Sequence, residues 1–279
     1  MVPSGLTEDK WIQAVEVRPS NRGVVHHAVV YLREPGSQWL KDAKPGVAFA
    51  PSVSTDRERF VNTQGGGSEV LTVYTPGTEP DMWKPGQAKL IKAGTDFIFQ
   101  MHYTANGKAG PDQTRVGLVY AKEPIKERIL TIGALNNRIK IPAGDPNYSA
   151  EAITPVNNAF TILSLSPHMH LRGKAFQYDV IYPDGKTETL LKLNTWDLYW
   201  QLSYKLAEPL ALTPGTRVKS TGWWDNSANN RANPDPKVDV VWGEQSWEEM
   251  LVGFMTVATD PKFDMRSLMR PAAAVQGPR

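Results

Sequence analysis

The sequence predicts an all-β protein that consists of two antiparallel β-sandwich domains packed together. Short apolar runs alternate with turn residues along the whole chain, and glycine and proline each occur 22 times among its 279 residues. Apolar runs bounded by such residues are typical of β-strands. The chain shows no sustained 3.6-residue apolar period, no heptads and no internal repeat of solenoid length, so we expect few and short helices.

The predicted strands follow one another from the first apolar run to the last. Residues 24–32 (VVHHAVVYL) are apolar on both faces apart from two histidines, which indicates a buried strand. Residues 97–104 and 115–121 are predicted to form a hairpin, because a glycine-containing loop at 106–111 joins them. The predicted strands and apolar segments are residues 24–32, 69–74, 89–91, 97–104, 115–121, 129–135, 139–141, 159–171, 175–182, 187–193, 202–206, 217–224 and 247–257.

A charged, proline-containing stretch at residues 122–128 (KEPIKER) lacks strand character and marks the predicted domain boundary. At about 150 residues per domain, the chain length fits two domains. We therefore expect an N-terminal domain at residues 1–122 and a C-terminal domain at residues 123–279, with a loose tail after Asp260. Loops are predicted at residues 64–68 (QGGGS) and 225–237.

Composition excludes several classes of function. The net charge is +2, far from the basic surface of a nucleic-acid-binding protein. No apolar stretch approaches the roughly 18 residues that span a bilayer, and the first residues lack the basic start and apolar stretch of a secretion signal. We therefore expect no nucleic acid and no membrane span. The chain has no cysteine, so only His, carboxylate or Met side chains can bind a transition metal.

An H-x-H pattern late in the chain is the most informative pair of histidines. On a strand, His168 and His170 share a face and lie about 6.6 Å apart along the backbone, so both imidazoles can converge on one metal ion. Ser164 and Ser166 share that face, which we expect to be the wetter one, whereas Met169 faces the core. The alternative is a pair of surface histidines that bind nothing.

The other three histidines lie in the first half of the chain. Neighbouring residues of a regular strand point to opposite faces, so His26 and His27 can bind one metal ion only at a β-bulge or a strand end. The alternative is one buried and one exposed histidine. His102 shares a strand face with Ile98 and Gln100, and its alternative is a polar surface or cavity residue.

Together these stretches resemble the ascorbate-dependent type II copper monooxygenases, the family of dopamine β-monooxygenase and peptidylglycine α-hydroxylating monooxygenase. Four stretches occur in the family's order within residues 11–257, and all five histidines fall on family ligand positions. The stretches are the pair at 26–27 (HH), residues 100–103 (QMHY) followed by 117–120 (GLVY), residues 168–173 (HMHLRG) and residues 248–250 (EEM).

The resemblance implies jelly-roll-like sandwiches with two copper ions per chain and a small-molecule substrate. It also implies O₂ and ascorbate or another one-electron reductant as co-substrates. The implied ligands are His26, His27 and His102 for an electron-transfer copper in the first domain, and His168, His170 and Met250 for a catalytic, O₂-activating copper in the second. Gln100 is an electron-transfer candidate. Imidazoles with a thioether favour Cu(I), the state that meets O₂. Spacing does not select Met250; it argues only against Met101 and Met169, which face away from the neighbouring histidines.

Departures from the family pattern bear on the substrate. The animal members are disulfide-rich, whereas sandwich packing alone must stabilise this chain. Ser166 replaces an Arg that the peptidylglycine enzyme has before its H-x-H, and Val252 and Phe254 replace an Asn and a Tyr after its Met ligand. The carboxylate clamp for glycine-extended peptides is thus absent. We expect an aromatic pocket instead, with core packing as the alternative for each residue. The candidates are Trp223, Trp224, Trp242 and Phe254.

Three interpretations of function stay open at this point. The first is a copper-dependent monooxygenase that hydroxylates a C–H bond of an organic substrate. The second is a non-catalytic copper-binding or copper-storage protein with the same ligands. The third is a structural β-sandwich in which the H-x-H lies on the surface. The resemblance implies a periplasmic or secreted location, and it leaves substrate, physiological reductant and oligomeric state open.

Overall fold

The computed structural model describes residues 1–49 and 68–271, in which the chain forms eighteen β-strands and one short helix. The strands are β1 (Val2–Pro3), β2 (Lys10–Arg18), β3 (Val25–Arg33), β4 (Ser68–Tyr74), β5 (Asp81–Met82), β6 (Gln87–Ile91), β7 (Asp96–Tyr103), β8 (Arg115–Tyr120), β9 (Glu127–Leu135), β10 (Lys140–Ile141), β11 (Tyr148–Pro155), β12 (Phe160–His168), β13 (Gly173–Ile181), β14 (Thr187–Leu193), β15 (Tyr204–Leu212), β16 (Arg217–Trp224), β17 (Val240–Val241) and β18 (Val252–Thr259). The helix is α1 (Met265–Met269). The predicted all-β class is confirmed, and no helix in these two ranges is long and apolar enough to cross a membrane.

Every predicted strand overlaps an observed one, but two long strands, β2 and β11, are not predicted. In β2 the register shifts between Ile12 and Ala14, which interrupts the alternation of inward and outward residues. In β11 the buried positions are the small residues Ala152 and Thr154. Neither strand therefore gives the alternating apolar signal that identifies a half-buried strand. The loop predicted at residues 225–237 is confirmed, and residues 64–67 lie outside the described residues.

The chain divides into two compact units, but its division differs from the single predicted boundary after residue 122. The first unit comprises Met1–Thr131, Asp197–Tyr204 and Thr256–Lys262, and the second comprises Ile132–Trp196, Lys205–Met255 and Phe263–Arg279. The start of β9 stays with the first unit because Glu127 and Arg128 pair in parallel with Gln87 and Ala88 of β6. Two later segments also join the first unit, which no single boundary can describe.

The first unit is a β-sandwich whose two sheets enclose an apolar core. One sheet has the strand order β1-β7-β3-β4, and the other is built on β2, which pairs with β5, β6 and β8. The buried core draws side chains from both sheets, including Ile12, Val15, Val17, Val25, Ala28, Val30, Leu32, Leu71, Ile91 and Phe97. The histidine-bearing strands β3 and β7 are neighbours in the first of these sheets.

The predicted hairpin of residues 97–104 and 115–121 is wrong. Strand β7 pairs with β1 and β3, whereas β8 pairs with β2 in the other sheet of the sandwich. The connection therefore crosses from one sheet to the other. Asp112 anchors it by accepting hydrogen bonds from the backbone N–H groups of Ser20 and Asn21, each at 3.0 Å.

The second unit is also a β-sandwich. One sheet has the order β11-β16-β13-β14, and the strands that face it follow the order β15-β12-β18-β9. Two glycines allow close contact between these layers. A Cβ atom added to Gly253 of β18 would lie 2.0 Å from Oγ of Ser220, and one added to Gly222 of β16 would lie 2.9 Å from Cδ1 of Leu251. These positions therefore exclude larger residues.

Helix α1 corrects the expectation of a loose tail after Asp260. Asp264 and Ser267 form a capping box at the start of the helix. The side-chain amide of Asn158 donates hydrogen bonds of 2.9–3.1 Å to three backbone carbonyls of the helix and its end. Polar side chains thus tie this segment to the second unit. Residues 272–279 lie outside the described residues.

A buried ionic cluster of Glu69, Lys89 and Arg128 lies in the first unit. Lys89 is 1% exposed, and its Nζ donates hydrogen bonds to the backbone oxygen of Val70 at 2.6 Å and to Oγ1 of Thr131 at 2.8 Å. Nη2 of Arg128 lies 3.3 Å from a carboxylate oxygen of Glu69. Burial lowers the pKa of Lys89 and raises the pKa of Glu69, while their mutual attraction opposes both shifts. The charged form of each residue is therefore stabilised by the opposite charges beside it.

Replacing Lys89 tests this dependence. The substitution Lys89→Ala is expected to lower the free energy of unfolding by about 3–5 kcal/mol, because Glu69 loses a buried partner. The matched substitution Lys92→Ala removes an exposed ion pair with Glu34 at 2.8 Å and is expected to change that energy by less than about 1 kcal/mol. Urea denaturation followed by circular dichroism measures both. Equal effects of the two substitutions would contradict the role given to burial.

Candidate metal centres

A β-bulge at the start of β3 brings together the first three histidines of the sequence. The register of β3 against β7 shifts between Val25 and His27, so His26 is the extra residue of the bulge. Val25 and Ala28 both reach the core although they are three residues apart. His27 lies opposite His102 of β7. The condition that the sequence sets for His26 and His27 to share a metal ion is therefore met.

The imidazole rings of these three histidines are in contact. Nδ1 of His26 lies 2.9 Å from Nδ1 of His27. The rings of His27 and His102 stack with their centroids 3.9 Å apart and their planes 25° apart. With metal–nitrogen bonds of about 2.0–2.1 Å, two nitrogen ligands of one ion lie roughly 2.8–3.4 Å apart. The separation of the two Nδ1 atoms thus fits a shared metal ion.

His26 also carries a buried nitrogen, Nε2, that has no hydrogen-bonding partner. Burial lowers the pKa of His26, and a backbone hydrogen bond with Leu198 acts in the opposite direction. The lowered pKa favours the neutral imidazole, which is the form that binds metals.

As the side chains stand, no three His, Asp or Glu residues within 1–49 and 68–271 are arranged to hold one metal ion. The stack explains this for the first group. Parallel rings of His27 and His102 cannot both direct a lone pair at an ion beside His26, so His102 would have to rotate about its Cβ–Cγ bond. Two ring nitrogens therefore lie at a separation that also fits metal ligands, and the third ring lies next to them.

Two further side chains border the first group. Gln100 lies on the same face of β7 as His102, and its Oε1 accepts a hydrogen bond from Oη of Tyr31 at 3.1 Å. Tyr199 contacts the ring of His26 edge-on, with centroids 5.3 Å apart. Tyr199 belongs to the late segment of the chain that joins the first unit, so no nearby motif in the sequence could reveal its position.

The second pair of histidines lies at the end of β12. His168 is the last residue of the strand, and His170 follows in a turn, so the predicted strand at 159–171 is too long. The strand ends because the backbone N–H of His170 is bonded to the Glu249 side chain. The two rings are nevertheless brought together, with centroids 5.1 Å apart. The expected wetter face holds only in part, since Ser166 and His168 are partly exposed but Ser164 and His170 are buried.

Hydrogen bonds fix both the backbone and the ring of His170. Nδ1 lies 3.2 Å from the backbone oxygen of Glu248. A carbonyl oxygen only accepts, so Nδ1 carries the proton and Nε2 carries the lone pair that a metal ion requires. The backbone oxygen of His170 accepts a hydrogen bond from Nε1 of Trp196 at 3.1 Å. Contacts of this kind set the tautomer and orientation of metal-binding histidines.

Glu249 is a fully buried carboxylate beside this pair. It accepts hydrogen bonds from the backbone N–H of His170 at 2.9 Å, from the backbone N–H of Arg172 at 2.6 Å and from Nε1 of Trp224 at 3.0 Å. Burial raises its pKa to about 7, and these three hydrogen bonds together with the charge of Arg172 act against the rise. The carboxylate therefore joins three separate parts of the second unit.

Arg172 is a buried cation in the same region, with 1% of its surface exposed. Its Nη1 donates to the backbone oxygen of Trp247 at 2.6 Å, and its Nε donates to Oδ1 of Asn226 at 2.8 Å. The amide of Asn226 donates in turn to the backbone oxygens of Pro142 and Val238 at 2.8 and 3.0 Å. The guanidinium is thus held by a fixed set of acceptors.

Met250 is buried and directly follows Glu249. It therefore belongs to the segment whose preceding residues are hydrogen-bonded to His170. The two methionines that the sequence argues against lie in the cores. Met169 is fully buried, with its sulfur 3.1 Å from a Cβ atom added to Gly222, and Met101 packs against the core of the first unit.

The four aromatic pocket candidates do not form one group. Trp223 and Trp224 are neighbours on β16 and therefore point to opposite faces of its sheet. Trp224 is fully buried and bonded to Glu249, so its expected role in a pocket is wrong and it is a core residue. Trp223, Trp242 and Phe254 are partly exposed and keep their place as candidates.

Sequence reasoning missed the residues that hold the turn at His170. Glu249, Arg172 and Trp196 all make hydrogen bonds to the turn at His170 or from it. A buried carboxylate cannot be distinguished from an exposed one in a sequence. The one available signal is position, because Arg172 lies within the H-x-H-L-R-G stretch and Glu249 directly precedes the candidate Met ligand.

Comparison with known proteins identifies no family. No family model matches the chain, and no curated protein matches it. Among solved structures, the major capsid protein P2 of bacteriophage PM2 is similar at 9% identity and a TM-score of 0.35, over 94% of this chain and 97% of that chain. The VP2 subviral particle of infectious bursal disease virus is similar at 11% identity and a TM-score of 0.27, over 95% of this chain and 60% of that chain. Scores this low carry no argument about function.

Gly173 tests the packing that supports His170. A Cβ atom added there would lie 2.4 Å from Cδ1 of Trp196, so Gly173→Ala is expected to displace Trp196 from His170. We expect a loss of about 1–3 kcal/mol in the free energy of unfolding, as for other overpacked sites. Urea denaturation followed by tryptophan fluorescence measures it. Gly117→Ala is the control, since an added Cβ there meets nothing within 4 Å and should change stability by less than about 0.5 kcal/mol. A similar loss in both would contradict the packing account.

Proposed function

We propose that the chain is a copper-dependent monooxygenase, which hydroxylates a C–H bond of an organic substrate with O₂ and an external one-electron reductant such as ascorbate. One observation carries the proposal. The sequence has five histidines, and the fold gathers all of them into two groups, with three in the first unit and two in the second. Histidines with only structural roles would not be expected to lie together in two such groups.

The donor atoms suit copper. Imidazole nitrogen binds copper well, and the addition of a thioether sulfur favours Cu(I). The proposed ligands are His26, His27 and His102 for one ion, and His168, His170 and Met250 for the other. Bound copper would supply one-electron transfer in the first unit and O₂ activation in the second. Three protein ligands leave a coordination position open, as a catalytic site requires.

The chain's own groups prepare these ligands. The Glu248 carbonyl holds the proton of His170 on Nδ1, which leaves the lone pair on Nε2. Burial lowers the pKa of His26 and so favours the neutral imidazole, the form that can bind a cation. Gln100, two residues before His102 on the same strand face, is the candidate residue for electron transfer. Trp223, Trp242 and Phe254 are the remaining candidates for an apolar substrate pocket. A periplasmic or secreted location belongs to the same proposal.

The substitution Met250→Ala tests the proposed function. Copper-loaded protein with ascorbate and ¹⁸O₂ is incubated with amine, amide and alkyl candidate substrates, and ¹⁸O in the product is measured by mass spectrometry. We expect one labelled oxygen per product molecule, and a loss of at least about 100-fold in Met250→Ala, because a direct ligand should matter at least as much as a residue that orients one. Met82→Ala, at a methionine that is 70% exposed, is the matched control and should keep the wild-type rate.

Two outcomes would contradict this proposal. Unchanged labelled product in Met250→Ala would remove the methionine from the reaction. Binding of copper without labelled product from any candidate substrate would favour a non-catalytic copper-binding or copper-storage protein, which would use the same ligands.

A further inference from the structure

Two segments of the second unit are bound to each other by hydrogen bonds in both directions. One is the turn at residues 170–172, and the other is the segment at residues 247–250. We propose that Arg172 and Glu249 form a clasp that sets the position of the Met250 thioether relative to the imidazole of His170. This inference rests on the proposed function, because it assigns the two charged residues a positioning role at the proposed O₂-activating site.

The Glu249 half of the clasp acts on the turn. Its two carboxylate oxygens accept the backbone N–H groups of His170 and Arg172, at 2.9 and 2.6 Å. Trp224 adds a third donor at 3.0 Å. Because Glu249 is bonded to Met250 through the chain, a displacement of its carboxylate would move Met250 relative to the backbone of His170. The carboxylate is buried, so water cannot replace a lost partner at low cost.

The Arg172 half acts on the segment before Met250. Its guanidinium donates to the backbone oxygen of Trp247, and the ring of His170 donates to the backbone oxygen of Glu248. Successive carbonyls of the segment before Met250 are therefore bonded to the turn that carries His170. Asn226 fixes the guanidinium from the other side at 2.8 Å. A buried and fully bonded network of this kind specifies one arrangement.

The network has a consequence for metal binding. His170 follows the end of β12, and Met250 lies two residues before β18. Backbone hydrogen bonds of Glu249 and Leu251 fix the main chain on either side of Met250, but these bonds go to segments other than the turn that carries His170. The clasp supplies the connection between the segment that carries Met250 and the turn that carries His170. Neither Arg172 nor Glu249 is a proposed ligand of the metal ion, and neither is proposed to contact the substrate. Their loss should therefore change how Met250 binds copper without removing a ligand.

Two conservative variants separate positioning from folding. Glu249→Gln keeps the shape but places an NH₂ group against a backbone N–H, so one of the two bonds to the turn is lost. Arg172→Lys keeps the charge but loses the planar fork that reaches Trp247 and Asn226 together. The control is Glu69→Gln, which makes the same change at a buried carboxylate of the first unit.

The experiment loads the full chain with Cu(I) and measures two quantities. A competing Cu(I) chelator gives the affinity of each site, and X-ray absorption at the copper edge gives the copper–sulfur contact. Glu249→Gln and Arg172→Lys are expected to weaken the affinity of the second-unit site by about 10–100-fold and to reduce the sulfur signal. Affinity at the first-unit site should not change. Glu69→Gln should lower the urea midpoint while both copper affinities and the sulfur signal stay at wild-type values.

The outcomes distinguish this inference from the proposed function. A wild-type protein without a copper–sulfur contact would overturn the proposed site and the clasp with it. A wild-type contact that persists with unchanged affinity in both Glu249→Gln and Arg172→Lys would overturn the clasp alone. If Glu249→Gln does not fold, Arg172→Lys decides the question. A loss of the sulfur signal in Glu69→Gln would show general destabilisation and would also overturn the positioning role.

Discussion

A β-strand sends neighbouring side chains to opposite faces, whereas a metal ion needs its ligands on one side. Each histidine group lies where this alternation is interrupted. In the first unit, the bulge at His26 adds one residue to β3, so the Nδ1 atoms of two adjacent histidines approach to 2.9 Å. In the second unit, β12 ends at His168, so His170 lies in the turn that follows the strand. The geometry of the first proposed site depends on the bulge, whereas His168 and His170, two residues apart, would share a face on a regular strand as well.

Residues that lie outside regular strand pairing need other contacts to fix their positions. The chain has no cysteine, so disulfides cannot supply them. In the second unit, buried polar groups do so: the Glu249 carboxylate holds the backbone of the turn, and the Glu248 carbonyl orients the His170 ring. Trp196 covers Gly173 and reaches the His170 carbonyl, a contact for which only glycine leaves room. Such networks are stable only when every member is satisfied.

The sequence predicts the regular parts of this arrangement. The alternation in residues 97–103 places His102 and Gln100 on one face and Phe97 in the core, as observed. The bulge at His26 appears in the sequence only as a condition, because the HH pair alone does not determine whether a strand bulges. The roles of Trp224 and Glu249 were beyond prediction, since burial is a property of the assembled sandwich. The segment that brings Tyr199 to His26 depends on contacts between residues far apart in the chain.

The central claim is that the two histidine groups form two separate copper sites. Counting tightly bound copper per chain after reconstitution of the metal-free protein tests it most directly. The count is made for the wild type, for His26→Ala/His27→Ala and for His168→Ala/His170→Ala. The account predicts two copper ions in the wild type and one in each double variant, with a different site emptied in each. One ion or none in the wild type, or two ions that persist in either double variant, would contradict it.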